Sequence, residues 1–109
     1  HLIQLVTPTT PAERAEQIVS ASGGFVYCVS VTGITGTRTE IPAALAERLA
    51  WLRSRTKLPL CVGFGVSTPE QVRQLRDHAD GIIVGSALVR LLDNPEAFRT
   101  LAESLAAAR

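Results

Sequence analysis

Methionine is absent from the 109 residues, and the chain opens at His1 straight into the strand-like run "LIQLV". A complete translation product starts with Met, and removal of that Met normally needs a small second residue. The sequence is therefore expected to be part of a longer one. Aromatic residues are few: Phe25, Tyr27, Trp51, Phe64 and Phe98. They do not alternate with basic residues as the stacking platform of a single-strand binder does. No block of like charge exists, and the formal net charge is only +1, so neither nucleic acid nor a membrane surface is expected as a partner. Cysteine is limited to Cys28 and Cys61, each inside an apolar run. Two isolated cysteines make neither a metal site nor a secreted disulfide framework. Buried free thiols in a reducing cytoplasm are expected instead. No apolar run approaches the roughly 20 residues of a membrane span, and no signal-peptide pattern opens the chain.

What the chain does have is core material, 46% hydrophobic against 19% charged, in a length that fits one domain at most. Its pattern alternates. "LIQLV" is a short strand, and "PAERAEQIVSA" follows as a helix with Pro11 in its first turn and Thr10 as its cap. "FVYCVSV" is a second strand, rich in β-branched and aromatic residues. In "IPAALAERLAWLRSR", Ile41, Leu45, Leu49 and Leu52 fall on one face of an amphipathic helix. "PLCVGFGV" is the third strand, followed by the helix "TPEQVRQLRDH" with Ser67 or Thr68 capping and Glu70 near the positive end of its dipole. "GIIVGSALV" supplies a fourth strand, and "NPEAFRTLAESLAAAR" a last helix capped by Asp93 or Asn94.

Four βα units with short connections define an α/β fold. Strands that are apolar throughout suit a parallel sheet covered on both faces. Two architectures compete: an open doubly wound sheet, complete at this length, or half of an eight-stranded barrel, whose two edge strands would stay unpaired.

In such folds the functional loops follow the carboxyl ends of the strands. Here they read "TPTTP", "TGITGTRTE", "GFGVSTPE" and "GSALVR". Three of the four combine glycine with a hydroxyl residue. Backbone N–H groups freed by glycine, beside a helix start, favour a phosphate dianion. Taken singly, "GFG" and "GSA" are equally well ordinary turns and caps; their recurrence at equivalent points favours a shared phosphate site. Arg38 is a further candidate for holding an anion, though a loop ion pair with Glu40 is the plainer reading. For Tyr27, core packing is the first reading and lining a substrate the second. His1 and His78 have no partners at ligand spacing, and no metal site is expected. Glu70, Asp77 and Asp80 are read as caps or solubilising charges on the face opposite the active site. No acid–base pair stands at a strand's carboxyl end.

The runs "LVTPTTPAER", "FVYCVSVTGITGTR", "LPLCVGFGVSTPEQV" and "ADGIIVGSALVRLL" together resemble the C-terminal half of the tryptophan synthase α-subunit family, in order and along nearly the whole chain. The resemblance implies strands five to eight of a (β/α)8 TIM barrel, spanning residues 1–109, with the N-terminal half absent. It implies a lyase of tryptophan biosynthesis that cleaves indole-3-glycerol phosphate to indole and glyceraldehyde 3-phosphate. Gly36, Gly65, Gly85 and Ser86 match the family's phosphate-binding positions. Tyr27 matches a tyrosine lining the active site, and Thr35 a loop threonine that engages a catalytic aspartate. Val31 stands where some members carry arginine. The family's catalytic glutamate and aspartate lie in the N-terminal half, so no catalytic residue is expected here and the chain alone is expected to be inactive. It needs no cofactor of its own, since pyridoxal phosphate belongs to the β subunit that pairs with the α subunit. Its unpaired edges call for the missing N-terminal half or a second copy as partner. The alternatives are a stand-alone module that binds a phosphorylated ligand or assembles half-barrels without catalysis, and another phosphate-binding barrel of amino-acid biosynthesis.

Overall fold

The computed structural model describes residues 1–30, 41–63 and 65–109. The elements follow the expected alternation: β1 (Gln4–Val6), α1 (Ala12–Ala21), β2 (Val26–Val29), α2 (Ala43–Arg55), β3 (Leu60–Gly63), α3 (Pro69–Leu75), β4 (Gly81–Ile83), α4 (Ser86–Val89) and α5 (Pro95–Ala107). The four strands form one parallel sheet in the order β1-β2-β3-β4. A doubly wound sheet reverses direction at a switch point; this one never does. Simple succession is the winding of a barrel, which decides between the two architectures read from the sequence.

The register divides the side chains between two faces. Val6, Cys28, Val62 and Ile82 form one aligned row, and Val26 and Leu60 lie on the same face one pleat earlier. This face is buried under Ala15 and Val19 of α1, Leu45, Leu49 and Leu52 of α2, Val72 and Leu75 of α3, and Leu105 of α5. The other face carries Leu5, Tyr27, Cys61 and Gly81 in one row and Val29, Gly63 and Ile83 in the next. Among the described residues no helix covers it: Leu5 is 55% exposed, and Tyr27, Cys61, Val29 and Ile83 are half-buried. Cover on both faces was expected from the apolar strands; the structure covers one.

Several local signals differ from the sequence reading. Thr10 does not cap α1. Pro11 occupies the cap position with no side-chain bond, and the Thr10 hydroxyl instead accepts from the Thr7 N–H at 3.0 Å. Thr68, rather than Ser67, caps α3, and Gln71 completes a capping box with it. Asn94 caps α5, accepting from the Ala97 N–H at 3.1 Å. The stretch "GIIVGSALV" is strand only as far as Ile83 and then turns into the short helix α4.

The free cysteines fall on opposite faces. Cys28 is buried beneath the helices, and Cys61 is half-buried on the open face. Burial, then the neighbouring Cys61, pushes the Cys28 thiol up to about 12. Burial, then Asp80, raises the Cys61 thiol as well.

Candidate functional site

All four strands are parallel, so their carboxyl ends share one edge of the sheet. Gly63 of β3 pairs with Ile83 of β4. Gly65 and Gly85 each follow two residues beyond that pair, which places their loops side by side. Gly65 has φ +82°, a left-handed conformation that glycine adopts without the Cβ penalty. Its loop leads into α3, where the Gln71 Oε1 accepts from the Ser67 N–H at 2.8 Å and the Thr68 N–H at 3.1 Å. Gly85 caps α4 and its carbonyl accepts from the Leu88 and Val89 N–H groups at 2.9 and 3.0 Å. A Cβ built on Gly85 would meet nothing within 4 Å, so the space beside it is open. Gly85 and Ser86 are both exposed.

Tyr27 reaches this edge from the open face of the sheet. A Cβ on Gly63 would collide with its hydroxyl oxygen and lie 2.9 Å from Cζ. The missing side chain of Gly63 is what lets the ring lie across β3. Cys61 stands in the same relation to Gly81, where a Cβ would come within 2.8 Å of its sulfur. Tyr27, Gly65, Gly85 and Ser86 therefore belong to one edge. Gly36 and Thr35, together with Val31, Gly33, Arg38 and Glu40, lie outside the described residues.

The first loop is held by a residue that the sequence reading passed over. Arg48 of α2 donates to the carbonyl oxygens of Pro8 and Thr10 at 3.2 and 2.5 Å, fixing "TPTTP" from 38 to 40 residues away. Its guanidinium lies 5.2 Å from the centre of the Trp51 ring, which Arg55 also approaches at 5.2 Å. A charged residue at a helix position carries no signal of a partner so distant in sequence.

Ser30, at the carboxyl end of β2, is fully buried, and its hydroxyl has no hydrogen-bond partner among the described residues. Glu70 differs from its sequence reading: it opens α3 and so stands on the carboxyl side, exposed, with Arg73 at 3.4 Å. Asp80 does lie at the amino end of the sheet, but it is more than a solubilising charge. Its carboxylate accepts from the Leu60 N–H at 2.8 Å and from Arg53 at 2.6 Å, joining β3, β4 and α2. Those two bonds, the backbone one first, hold its pKa below the usual carboxylate value. Among the described residues no group of three or more His, Cys, Asp or Glu could hold a metal ion, and no helix is long and apolar enough to cross a membrane. Among the described residues the open face offers no carboxylate or imidazole, only apolar groups, one thiol and the Tyr27 phenol.

Among the described residues this edge brings together two glycine-led loops and the Tyr27 phenol, without a proton-transfer pair. The family model described as tryptophan synthase alpha chain matches residues 1–108. The tryptophan synthase alpha chain of Rhodopirellula baltica is 57% identical over 89 residues, covering 82% of this chain and 32% of the relative. That of a Picosynechococcus species is 54% identical over 109 residues, covering 99% and 40%. A crystal structure of tryptophan synthase from M. tuberculosis superposes with a TM-score of 0.83 at 37% identity, covering 97% of this chain and 39% of that one. A tryptophan synthase alpha-subunit from Pyrococcus furiosus gives 0.80 at 36%, covering 96% and 44%. The chain thus spans well under half the length of these relatives, and its four strands match part of their barrel. It belongs to the tryptophan synthase alpha chain family.

Proposed function

We propose that the chain supplies strands five to eight of an α subunit, the half that grips the phosphate of indole-3-glycerol phosphate. The observation that carries the reading is the pairing of two glycine-led loops, at Gly65 and at Gly85–Ser86, on one sheet edge of a chain from this family. A phosphate dianion there takes backbone N–H groups from both loops, and the Ser86 hydroxyl, exposed beside it, is free to donate. Tyr27 lines the sheet side of the same ligand. On sequence alone, Gly36 and Thr35 join them.

The reaction of the whole subunit is a retro-aldol cleavage to indole and glyceraldehyde 3-phosphate. A proton must be delivered to the indole ring carbon as its bond to the glycerol chain breaks. That step needs a carboxylate on the barrel axis, and the open face of this sheet has none among the described residues. The chain binds and orients; the proton donor comes from the other half of the barrel. It takes no cofactor itself, and pyridoxal phosphate resides in a β subunit that receives the indole. The setting is the cytoplasm. The open face takes a second set of four βα units, either the preceding half of the barrel or another copy of this chain.

Amide NMR spectra recorded while inorganic phosphate is added test the binding reading. Shifts are expected at Gly65, Gly85 and Ser86. A Gly85→Ala variant has room for its methyl group and should fold, yet place that methyl in the seat, weakening binding about tenfold, or ~1.4 kcal/mol. Unchanged affinity would remove Gly85 from the site. Turnover of indole-3-glycerol phosphate by the chain alone, above a no-enzyme control, would overturn the division of labour. A stand-alone binding module is the second reading, favoured by the lack of acid or base on the open face among the described residues. It predicts phosphate binding but no turnover even when a family N-terminal half is added.

A further inference from the structure

The loop that Gly65 opens is pinned from below by one side chain. Gln71 is 2% exposed, and Ser30 is the other buried polar residue among the described residues. A polar side chain is kept in such a place by the hydrogen bonds it makes. Those of Gln71 point back along the chain. Its Oε1 accepts from the Ser67 N–H at 2.8 Å, the Thr68 N–H at 3.1 Å and, more weakly, the Ser67 hydroxyl at 3.5 Å. Its own N–H donates to the Thr68 Oγ1 at 3.3 Å. A capping box needs only the bonds with the cap residue, Thr68. Here the shorter bond goes to Ser67, one residue before the cap and so part of the loop rather than of the helix. Val66, between Gly65 and Ser67, is 3% exposed and packs in the core. Each residue from Val66 to Thr68 is therefore held, and the exposed Gly65, at φ +82°, makes the turn that precedes them. The neighbouring loop has no such device: α4 starts at Gly85–Ser86 without a side-chain cap, and both residues are exposed.

We propose that Gln71 is a positioning residue of the phosphate seat, holding the Gly65 loop in its ligand-bound shape before the ligand arrives. This rests on the phosphate reading above and deepens it. Gln71 is buried, so it acts on the backbone of the loop rather than on the ligand. A phosphate held by backbone N–H groups depends on where those groups point, which the backbone dihedrals alone decide. Glycine is the residue with the most freedom in those dihedrals. A seat built on Gly65 therefore needs a constraint from outside the glycine to keep its N–H groups aimed. The Gln71 carbonyl supplies that constraint at the Ser67 and Thr68 N–H groups, and the buried Val66 side chain supplies it one residue closer. Half of the seat is thus ordered by folding, and that part of the ordering cost no longer opposes binding. The uncapped loop at Gly85–Ser86 is left to follow the ligand.

Amide hydrogen exchange and titration with inorganic phosphate, both followed by NMR, test this. In the unaltered chain the Ser67 and Thr68 amides should exchange about tenfold or more slower than in an unstructured peptide before any phosphate is present. Saturating phosphate should add little to that protection. Gln71→Met keeps the length of the side chain and removes the acceptor. Both amides should then lose their protection while Val62 in β3 keeps its own, and phosphate affinity should fall about tenfold, or ~1.4 kcal/mol. Asp80→Asn, at the amino end of the sheet, controls for a general loss of stability and should bind phosphate as the parent does. Parental affinity in Gln71→Met, or equal losses of affinity in Gln71→Met and Asp80→Asn, would overturn the proposal. So would Ser67 and Thr68 amides that become protected only when phosphate is added, a result read on the unaltered chain even if Gln71→Met fails to fold. Absence of phosphate shifts at Gly65, Gly85 and Ser86 in the unaltered chain would overturn the phosphate reading itself, and the role of Gln71 with it. The two failures are therefore told apart.

Discussion

Asp80 is the residue whose removal should tell most about how the half-barrel holds together. Its carboxylate takes the Leu60 N–H at 2.8 Å and the Arg53 guanidinium at 2.6 Å, so one side chain ties the start of β3 to β4 and to the last turn of α2. The ion pair is 47% and 44% exposed on its two sides, which limits it to about 0.5 kcal/mol. The bond to the partly buried Leu60 N–H is charge-assisted, and such bonds contribute about 1.5–3 kcal/mol. Solvent access at Asp80 places this one at the lower end. Asp80→Ala should therefore cost about 2 kcal/mol, or ~9 °C in melting temperature for a chain of this length. Asp80→Asn keeps a neutral acceptor for Leu60 and should lose about half of that, whereas Arg53→Ala should lose only ~0.5 kcal/mol. The ionised form is favoured in the folded state, so its contribution is complete above the unfolded carboxylate pKa near 4. It disappears as pH falls through the lower folded value. Thermal melts of the three variants at pH 7, and of the parent and Asp80→Asn from pH 7 down to pH 3, measure all of this. The reasoning fails if Arg53→Ala costs as much as Asp80→Ala, because the ion pair would then be the main tie. It also fails if the gap between parent and Asp80→Asn does not shrink in acid.

Gly63→Ala should destabilise by about 1–3 kcal/mol, although alanine is ordinarily the better strand residue, because its methyl meets the Tyr27 ring. Tyr27→Ala in the same chain should recover most of that loss, and a double-mutant cycle in denaturant that shows no coupling would contradict the contact. At pH 8 iodoacetamide should modify Cys61 well before Cys28, whose thiol is buried and pushed up to about 12; mass mapping that finds Cys28 labelled first would mean that the sheet is covered on the wrong face.

The alternation of elements was legible because periodicity and punctuation are local. Pro69, Glu70 and the Thr68 hydroxyl lie within a few residues of one another, and all point to the same helix start. Helix α2 announced its buried stripe through Leu45, Leu49 and Leu52 in the same way. The loops that hold Gly65 and Gly85–Ser86 stood out because glycine near a hydroxyl residue is visible without coordinates, while the resemblance to the family supplied the individual positions. What stayed hidden depends on distance or on small size. Asp80 and Leu60 are 20 residues apart, and Arg48 and Pro8 are 40. No pattern in either segment names the other. Helix α4 is about one turn long, too short to show a period, so its residues read as more strand. The uncovered face escaped because an apolar strand looks alike whether a helix, a second sheet or another half-barrel lies over it. Nor did the sequence show why glycine sits at position 63, since the reason is a tyrosine on the neighbouring strand.

The unbroken succession of strands has one more consequence. Each βα unit touches the unit before it and the unit after it, and among the described residues no strand pairing joins the first to the last. Stability then accumulates as it does in a stacked repeat, from the units and the seams between neighbours. Loss of order should travel inward from the outermost units, the one holding β1 and the one holding β4 with α5, while the seam between β2 and β3 opens last. A ring of eight has no outermost unit. Closing it converts a structure that can come undone one unit at a time into one whose seams must be broken in pairs.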